Sequence, residues 1–127
     1  MIRAEFLVPL AVAVALSTQS LAEEGDAARG AELFALRCSE CHAIGETPGK
    51  KAGPNLKGVI NRMSGTLEGY EYSEAMKGAG LLWSAETLAR YLLAPRKVVP
   101  GTKMNFNGLK RPGEKEDIVA YLLQAGQ

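Results

Sequence analysis

All the cysteine and histidine residues of this chain lie within five positions, and no other feature constrains it more. Cys38 and Cys41 are the only cysteines, and the only histidine, His42, follows directly. A disulfide or a thioredoxin-like Cys-x-x-Cys pair would not require that histidine. A closed zinc site would need a fourth ligand, and the chain has no second cluster of Cys or His.

The order Cys38-x-x-Cys41-His42 is typical of covalent haem attachment. In a helix these positions are i, i+3 and i+4, so their side chains project from one face. Two thioether bonds and one iron–nitrogen bond can then form side by side. We therefore expect one covalent haem c with its iron, and the low aromatic content of 6% agrees with a porphyrin that fills part of the core.

Length and composition predict a single ordinary soluble domain. The chain has 127 residues, 23% of them charged, and a net charge of +1. This charge is too small to indicate general binding of nucleic acid or lipid, and the length leaves little room for a two-domain enzyme. A monomer is the default expectation.

The first 22 residues resemble a signal peptide. Arg3 is followed by an apolar run over residues 7–16, and Ser20-Leu21-Ala22 offers small residues at the cleavage site. The run covers only about half of the ~20 residues that a spanning helix needs, which disfavours a retained anchor. The sequence thus predicts a signal peptide over residues 1–22, cleavage after Ala22, and a mature domain over 23–127.

The second axial ligand of the iron cannot be a histidine, because His42 is the only one. Once Met1 leaves with the signal peptide, Met63, Met76 and Met104 remain. Met104 follows a Pro-Gly turn that can carry a side chain inward, but spacing alone does not choose among the three.

The pattern along the mature chain predicts an all-α domain with long loops. Asp26 caps a helix that runs to about Cys41. Glycine and proline predict loop from 43 to 72 and from 95 to 111. Between and after these loops we expect three further helices, at about 74–77 after the cap Ser73, at 85–93 between Ser84 and Pro95, and at 114–124.

From about Arg29 to Ala125 the sequence resembles class I c-type cytochromes of the mitochondrial-type and bacterial c2 or c550 branch. The resemblance rests on Gly30 and Phe34 before the haem motif, Gly53-Pro54-Asn55-Leu56, Tyr72, Trp83, Tyr91-Leu92, Pro100-Gly101-Thr102-Lys103-Met104 and Tyr121-Leu122. It implies the small cytochrome c fold, with the terminal helices packed together and the other helices and loops wrapped around one haem.

The resemblance also implies individual roles. Met104 is the sixth ligand, and the Pro54 carbonyl accepts a hydrogen bond from His42. Arg62, Tyr72 and Trp83 donate to the haem propionates. Tyr91 and Thr102 lie near Met104 and the propionates.

The function implied is electron transfer, not enzymatic catalysis. Redox partners of such a carrier include the cytochrome bc1 complex, a terminal oxidase, a photosynthetic reaction centre or a dehydrogenase, with only transient contact to membrane complexes. The alternative is a haem enzyme or ligand-binding cytochrome with an open distal site. Mitochondrial members lack an export signal, so the signal peptide predicts a location in a bacterial periplasm.

Basic residues surround Met104 in the sequence. Between Glu86 and Glu114 there are six and no acidic residue: Arg90, Arg96, Lys97, Lys103, Lys110 and Arg111. Acidic residues gather instead near the mature N-terminus. This distribution predicts a basic docking face for acidic partners.

Overall fold

Five helices and the segments between them, most of them long loops, make up the part of the chain that the computed structural model describes, residues 25–127. In order they are α1 (Ala27–Arg37), α2 (Glu74–Gly78), α3 (Ala85–Leu93), α4 (Pro95–Val98) and α5 (Glu114–Ala125). The β pairing within these residues is a single isolated bridge, so the predicted all-α class is confirmed. None of the five helices is long and apolar enough to cross a bilayer. The predicted signal peptide lies outside the described residues.

Helices α1 and α5 cross at very short range. A Cβ on Gly30 would lie 2.0 Å from the carbonyl oxygen of Asp117, so a larger residue would push the helices apart. Beside this point the rings of Phe34 and Tyr121 pack with their centroids 5.4 Å apart. The terminal helices are thus packed together as the resemblance implies.

The side chain of Asp117 ties the same crossing together. Its carboxylate accepts hydrogen bonds from the backbone N–H of Asp26 at 2.7 Å and from Nε of Arg29 at 3.1 Å. Asp117 is buried, so these two donors replace the water that its charge would otherwise bind.

Helix α1 ends at Arg37, four residues before the predicted end at Cys41. The N–H groups of Cys38 and Ser39 both donate to the Phe34 carbonyl oxygen, each at 2.9 Å. Cys38 has left the helical conformation, with φ of −123°. The shared acceptor closes the last turn of α1, and the predicted helix was therefore too long at this end.

Pro95 ends one helix and begins another. Helix α3 has the predicted bounds, and Ser84 and Thr87 form a capping box at its start. Helix α4 lies where the sequence predicts loop, and that prediction is wrong for residues 95–98. Proline has no N–H to leave unpaired and a φ that suits the first helical position, so it can start a helix as well as stop one.

The two remaining helices agree with the sequence prediction. Helix α2 is capped by the Ser73 hydroxyl, which accepts the Met76 N–H at 3.1 Å. Helix α5 begins at Glu114 and ends at Ala125, one residue beyond its predicted end.

One core connects the helices with the loops. Its buried members come from α1, α2, α3, α5 and the intervening loops. Half-buried Cys38, Tyr72 and Met104 pack against this core. The fold thereby brings residues that are far apart in the sequence to one apolar centre.

Candidate functional site

The Cys-x-x-Cys-His motif forms a helical turn of its own directly after α1. The N–H groups of Cys41 and His42 both donate to the Cys38 carbonyl oxygen, at 3.1 and 2.8 Å. The Ser39 hydroxyl donates to the Ala35 carbonyl at 2.6 Å and ties this turn to α1. The i, i+3, i+4 relation of the three side chains is therefore kept although α1 ends earlier than predicted.

His42 is oriented by Pro54. Its Nδ1 lies 2.8 Å from the Pro54 carbonyl oxygen. With the proton on Nδ1, the imidazole donates to this carbonyl and keeps the lone pair of Nε2 for a metal. Burial lowers the pKa of the imidazole, which favours the neutral form that a metal binds.

The loop that carries Pro54 approaches the imidazole so closely that only glycine fits at position 53. A Cβ there would lie 2.5 Å from Cε1 of His42. The Gly53 N–H donates to the Cys41 carbonyl at 2.8 Å, which fixes the loop to the motif turn. Asn55 holds the loop from the other side, since its side-chain oxygen accepts the Gly45 N–H at 3.1 Å.

Cys38 and Cys41 do not form a disulfide with each other, so both sulfurs are available for thioether bonds. Before attachment, burial raises the pKa of the Cys38 thiol to about 11. Redox-active cysteines have the opposite property, a lowered pKa that favours the thiolate, so a thioredoxin-like role is disfavoured. Among residues 25–127, no group of three or more His, Cys, Asp or Glu is arranged to hold a metal ion.

Met104 is placed by Tyr91 and Thr102. The Tyr91 hydroxyl lies 2.8 Å from Oγ1 of Thr102 and 3.9 Å from the sulfur of Met104. Oγ1 of Thr102 accepts the Met104 N–H at 3.4 Å. Burial raises the pKa of Tyr91, so its phenol keeps the proton that it donates. The three residues form one network with the thioether at its end.

The other two methionines of the described chain have different surroundings. Met63 is 44% exposed and pairs with Leu82 in the isolated bridge. Met76 is buried in the core on α2. Of these three described methionines, Met104 is the one whose sulfur meets a hydrogen-bond donor within residues 25–127.

Two of the predicted propionate donors, Trp83 and Tyr72, are aromatic. Trp83 is buried, and its ring centroid lies 5.2 Å from that of Tyr91, so it adjoins the Met104 network. Tyr72 packs edge-on against Tyr70 at 4.7 Å, and its hydroxyl accepts the Leu67 N–H at 3.3 Å. Their roles toward propionates stay predictions.

The third predicted donor, Arg62, lies on the loop that braces the histidine. Its guanidinium donates to the carbonyl oxygens of Asn55 and Lys57, both at 3.2 Å. The structure thus joins Arg62 to the segment that carries Pro54, and its role as a propionate donor also stays a prediction.

The histidine side and the methionine side of the site meet at Arg37 and Phe106. The Arg37 guanidinium lies 5.4 Å from the centroid of the Phe106 ring, a cation–π distance. Arg37 directly precedes Cys38, and Phe106 is two residues beyond Met104. Two thiols, an imidazole and a thioether are the groups that bind a covalent His/Met-ligated haem. This donor set and the close contact between Gly53 and the His42 ring fit such a haem.

Known proteins resemble this chain over nearly all of the described residues. The family model for cytochrome c matches residues 27–126. Over 110 residues the chain is 48% identical to a cytochrome c of Chlamydomonas reinhardtii. This match covers 87% of this chain and 98% of the relative. The chain belongs to the cytochrome c family. A cytochrome c of Stellaria longipes is 47% identical over 100 residues, or 79% of this chain and 93% of the relative. That of Ginkgo biloba is 45% identical over 109 residues, or 86% and 96%.

Membership of the cytochrome c family settles the cofactor and the general activity. The protein binds one covalent haem c with iron. It is an electron-transfer haem protein and not an enzyme.

The same relatives overturn the predicted location. They are mitochondrial cytochromes c of plants and an alga, not exported periplasmic proteins. The prediction of a bacterial periplasm is therefore wrong. It was inferred from the signal-peptide pattern of residues 1–22, which mitochondrial members lack, and those residues lie outside the described part of the chain.

Two lysines that flank the predicted sixth ligand in the sequence make contacts that no sequence pattern indicates. The Lys103 ammonium lies 4.7 Å from the centroid of the Tyr70 ring and donates to the Glu71 carbonyl. The Lys110 ammonium donates to the Leu93 carbonyl. These partners are 32 and 17 positions apart, so local reasoning cannot pair them.

Proposed function

We propose that this cytochrome c carries single electrons on a haem that is attached through Cys38 and Cys41 and ligated by His42 and Met104. The haem supplies a ferric/ferrous couple when it is bound. With His42 and Met104 as its two ligands from the protein, the iron would keep no coordination site for a substrate, which suits a carrier.

The hydrogen bond from Tyr91 to the sulfur of Met104 carries this proposal. It singles out one of the three described methionines, and Thr102 supports the same residue from the backbone side. A donor to the thioether draws electron density from the sulfur, so the sulfur stabilises ferric iron less strongly. We infer that Tyr91 raises the reduction potential in this way.

We propose that the haem propionates lie near three loop residues, Arg62, Tyr72 and Trp83. These residues supply a positive charge, a hydroxyl donor and an indole donor, and buried carboxylates require such groups. The contact of Trp83 with Tyr91 supports a location of its indole beside the haem.

Cytochromes c shuttle electrons to redox partners such as the bc1 complex and an oxidase. For this chain we propose partners with acidic docking surfaces. Lys97 and Arg111 are exposed on the two sides of Met104 in the sequence, and exposed Arg37 contacts Phe106 beside it. Positive charge around Met104 raises the rate of encounter with an acidic partner more than it raises the affinity of the complex.

Covalent attachment is tested by the mass of the denatured protein. Wild-type protein made in cells with a c-type haem attachment system is expected to carry one haem that denaturation does not remove. Cys38→Ser with Cys41→Ser removes both sulfurs and abolishes this mass increment, whereas Ser39→Ala, inside the same turn, preserves it. A wild-type chain without covalent haem, or a double serine variant that keeps it, would contradict the assignment.

A further inference from the structure

Arg96, at the start of α4, holds two side chains of the segment that carries Met104. Its Nη1 donates to Oδ1 of Asn107 at 2.8 Å, and its Nη2 donates to Oδ1 of Asn105 at 3.1 Å. A guanidinium presents its donors in a rigid planar fork, so one arginine can serve two acceptors at once. We call this contact the Arg96 clamp.

The two asparagines alternate with the residues that face the core. Asn105 and Asn107 are exposed, whereas Met104 and Phe106 are half-buried and pack against the core. The Phe106 N–H donates to the Met104 carbonyl at 3.0 Å, which links the two inner residues. A clamp on the outer side chains therefore also restricts the inner ones.

The helix that carries Arg96 is itself well anchored. Pro95, the first residue of α4, and Val99, directly after its last residue, are among the most buried residues of the described chain. The Val99 N–H donates to the Pro95 carbonyl at 2.9 Å. Arg96 thus extends from a fixed base, and movement of the clamped segment must break its hydrogen bonds.

We propose that Arg96 is a positioning residue that keeps the thioether of Met104 in place through Asn105 and Asn107. The inference rests on the proposed ligand role of Met104. An external ligand reaches the iron only when the thioether has moved away, and the clamp opposes that movement. Arg96 therefore stabilises the state in which the Met104 thioether stays in place. It also contributes positive charge to the docking face.

Imidazole binding to the ferric holoprotein measures how often the thioether moves away. Arg96→Ala and the pair Asn105→Ala/Asn107→Ala are each expected to raise the apparent affinity for imidazole about five- to tenfold, since each removes both hydrogen bonds. Arg96→Lys keeps the charge but loses the fork, so it is expected to resemble Arg96→Ala. Lys97→Ala, its neighbour on α4, removes equal charge and is expected to stay within twofold of wild type.

The combined variant separates the clamp from independent effects. Arg96→Ala added to Asn105→Ala/Asn107→Ala should change the affinity no further, because the interaction is already lost. Hydrogen exchange at the amides of residues 104–108 should become faster in the same variants and not in Lys97→Ala. Additive effects, wild-type behaviour of Arg96→Lys, or an equal effect of Lys97→Ala would overturn the proposal.

A failure of the clamp is distinguishable from a failure of the ligand assignment. If Met104→Leu abolishes the sulfur–ferric charge-transfer band but Arg96→Ala binds imidazole as wild type does, Met104 is the ligand and the clamp has no role. If Met104→Leu keeps the band, the ligand assignment fails, and the proposal for Arg96 fails with it.

Discussion

The Tyr91 hydroxyl lies 3.9 Å from the sulfur of Met104 and donates to it. The same hydroxyl lies 2.8 Å from Oγ1 of Thr102, so the phenol is held from two sides. Because Tyr91 belongs to α3 and its ring packs on Trp83, the helix and this ring contact fix the position of the hydroxyl beside the sulfur. The fold itself therefore places the donor next to Met104.

Removal of this donor is expected to lower the reduction potential. In Tyr91→Phe the sulfur loses a hydrogen bond and stabilises ferric iron better, by about 1 kcal/mol or a few tens of millivolts. Redox titration followed by absorption measures the shift. Tyr121→Phe is the matched control, since its ring packs on Phe34 at the α1–α5 crossing. An unchanged or higher potential in Tyr91→Phe would show that the hydroxyl does not act on the sulfur.

The stability of the α1–α5 crossing should depend on pH through Asp117. The hydrogen bond from Arg29 lowers the pKa of Asp117 in the folded protein, below the value of about 3.9 in unfolded chains. The carboxylate therefore stabilises the fold fully above about pH 4, and this contribution is lost as the pH falls through the folded-state pKa.

Asp117→Asn is expected to lose about 1 kcal/mol of unfolding free energy at neutral pH. The difference from wild type should shrink below about pH 4, where Asp117 becomes protonated first in the unfolded chain and then, at lower pH, in the folded protein. Urea unfolding of the holoprotein over a pH series measures both effects. Glu32→Gln, an exposed carboxylate on α1, is the control and should change little. A difference that stays constant down to pH 2 would rule out the charge of Asp117 as its cause.

Electron transfer to an acidic partner should slow as salt increases. Exposed charges lose their long-range attraction when the Debye length shortens to about 8 Å at physiological ionic strength. Lys97→Glu should reduce the second-order rate at low salt by roughly tenfold and leave the reduction potential nearly unchanged. Arg96 is a poorer probe of docking, because its substitution also breaks the clamp.

The control for docking is Lys57→Glu, an exposed residue beside Gly58, whose N–H donates to the Gly126 carbonyl past the end of α5. Stopped-flow mixing with an acidic redox partner at several salt concentrations gives the rates. Equal slowing by Lys57→Glu, or a rate that does not depend on salt, would argue against a docking face around Met104.

The parts of the site that sequence predicts well depend on local spacing. Cys38, Cys41 and His42 share one turn because i, i+3 and i+4 coincide in any helical turn, even outside α1. The caps Ser73 and Ser84 act on N–H groups three residues away and are read directly from the sequence. For Met104 spacing was not enough, and resemblance to a family selected it.

The parts that sequence could not predict depend on contacts between distant segments. Helix α1 ends early because the N–H groups of Cys38 and Ser39 share the carbonyl oxygen of Phe34. No sequence pattern predicts this shared acceptor. The pair Arg29–Asp117 joins residues 88 positions apart. The Arg96 clamp extends from α4, and the sequence predicts loop at these residues because Pro95 is typical of a helix end.

The sulfur–ferric charge-transfer band of the oxidised holoprotein tests the central claim most directly. Each methionine is replaced by leucine, which has a similar volume, so that packing is largely preserved. The account predicts that Met104→Leu loses the band and has a lower reduction potential, while Met63→Leu and Met76→Leu keep the band. A band that persists in Met104→Leu and disappears in Met63→Leu or Met76→Leu would contradict the assignment of Met104 as the sixth ligand.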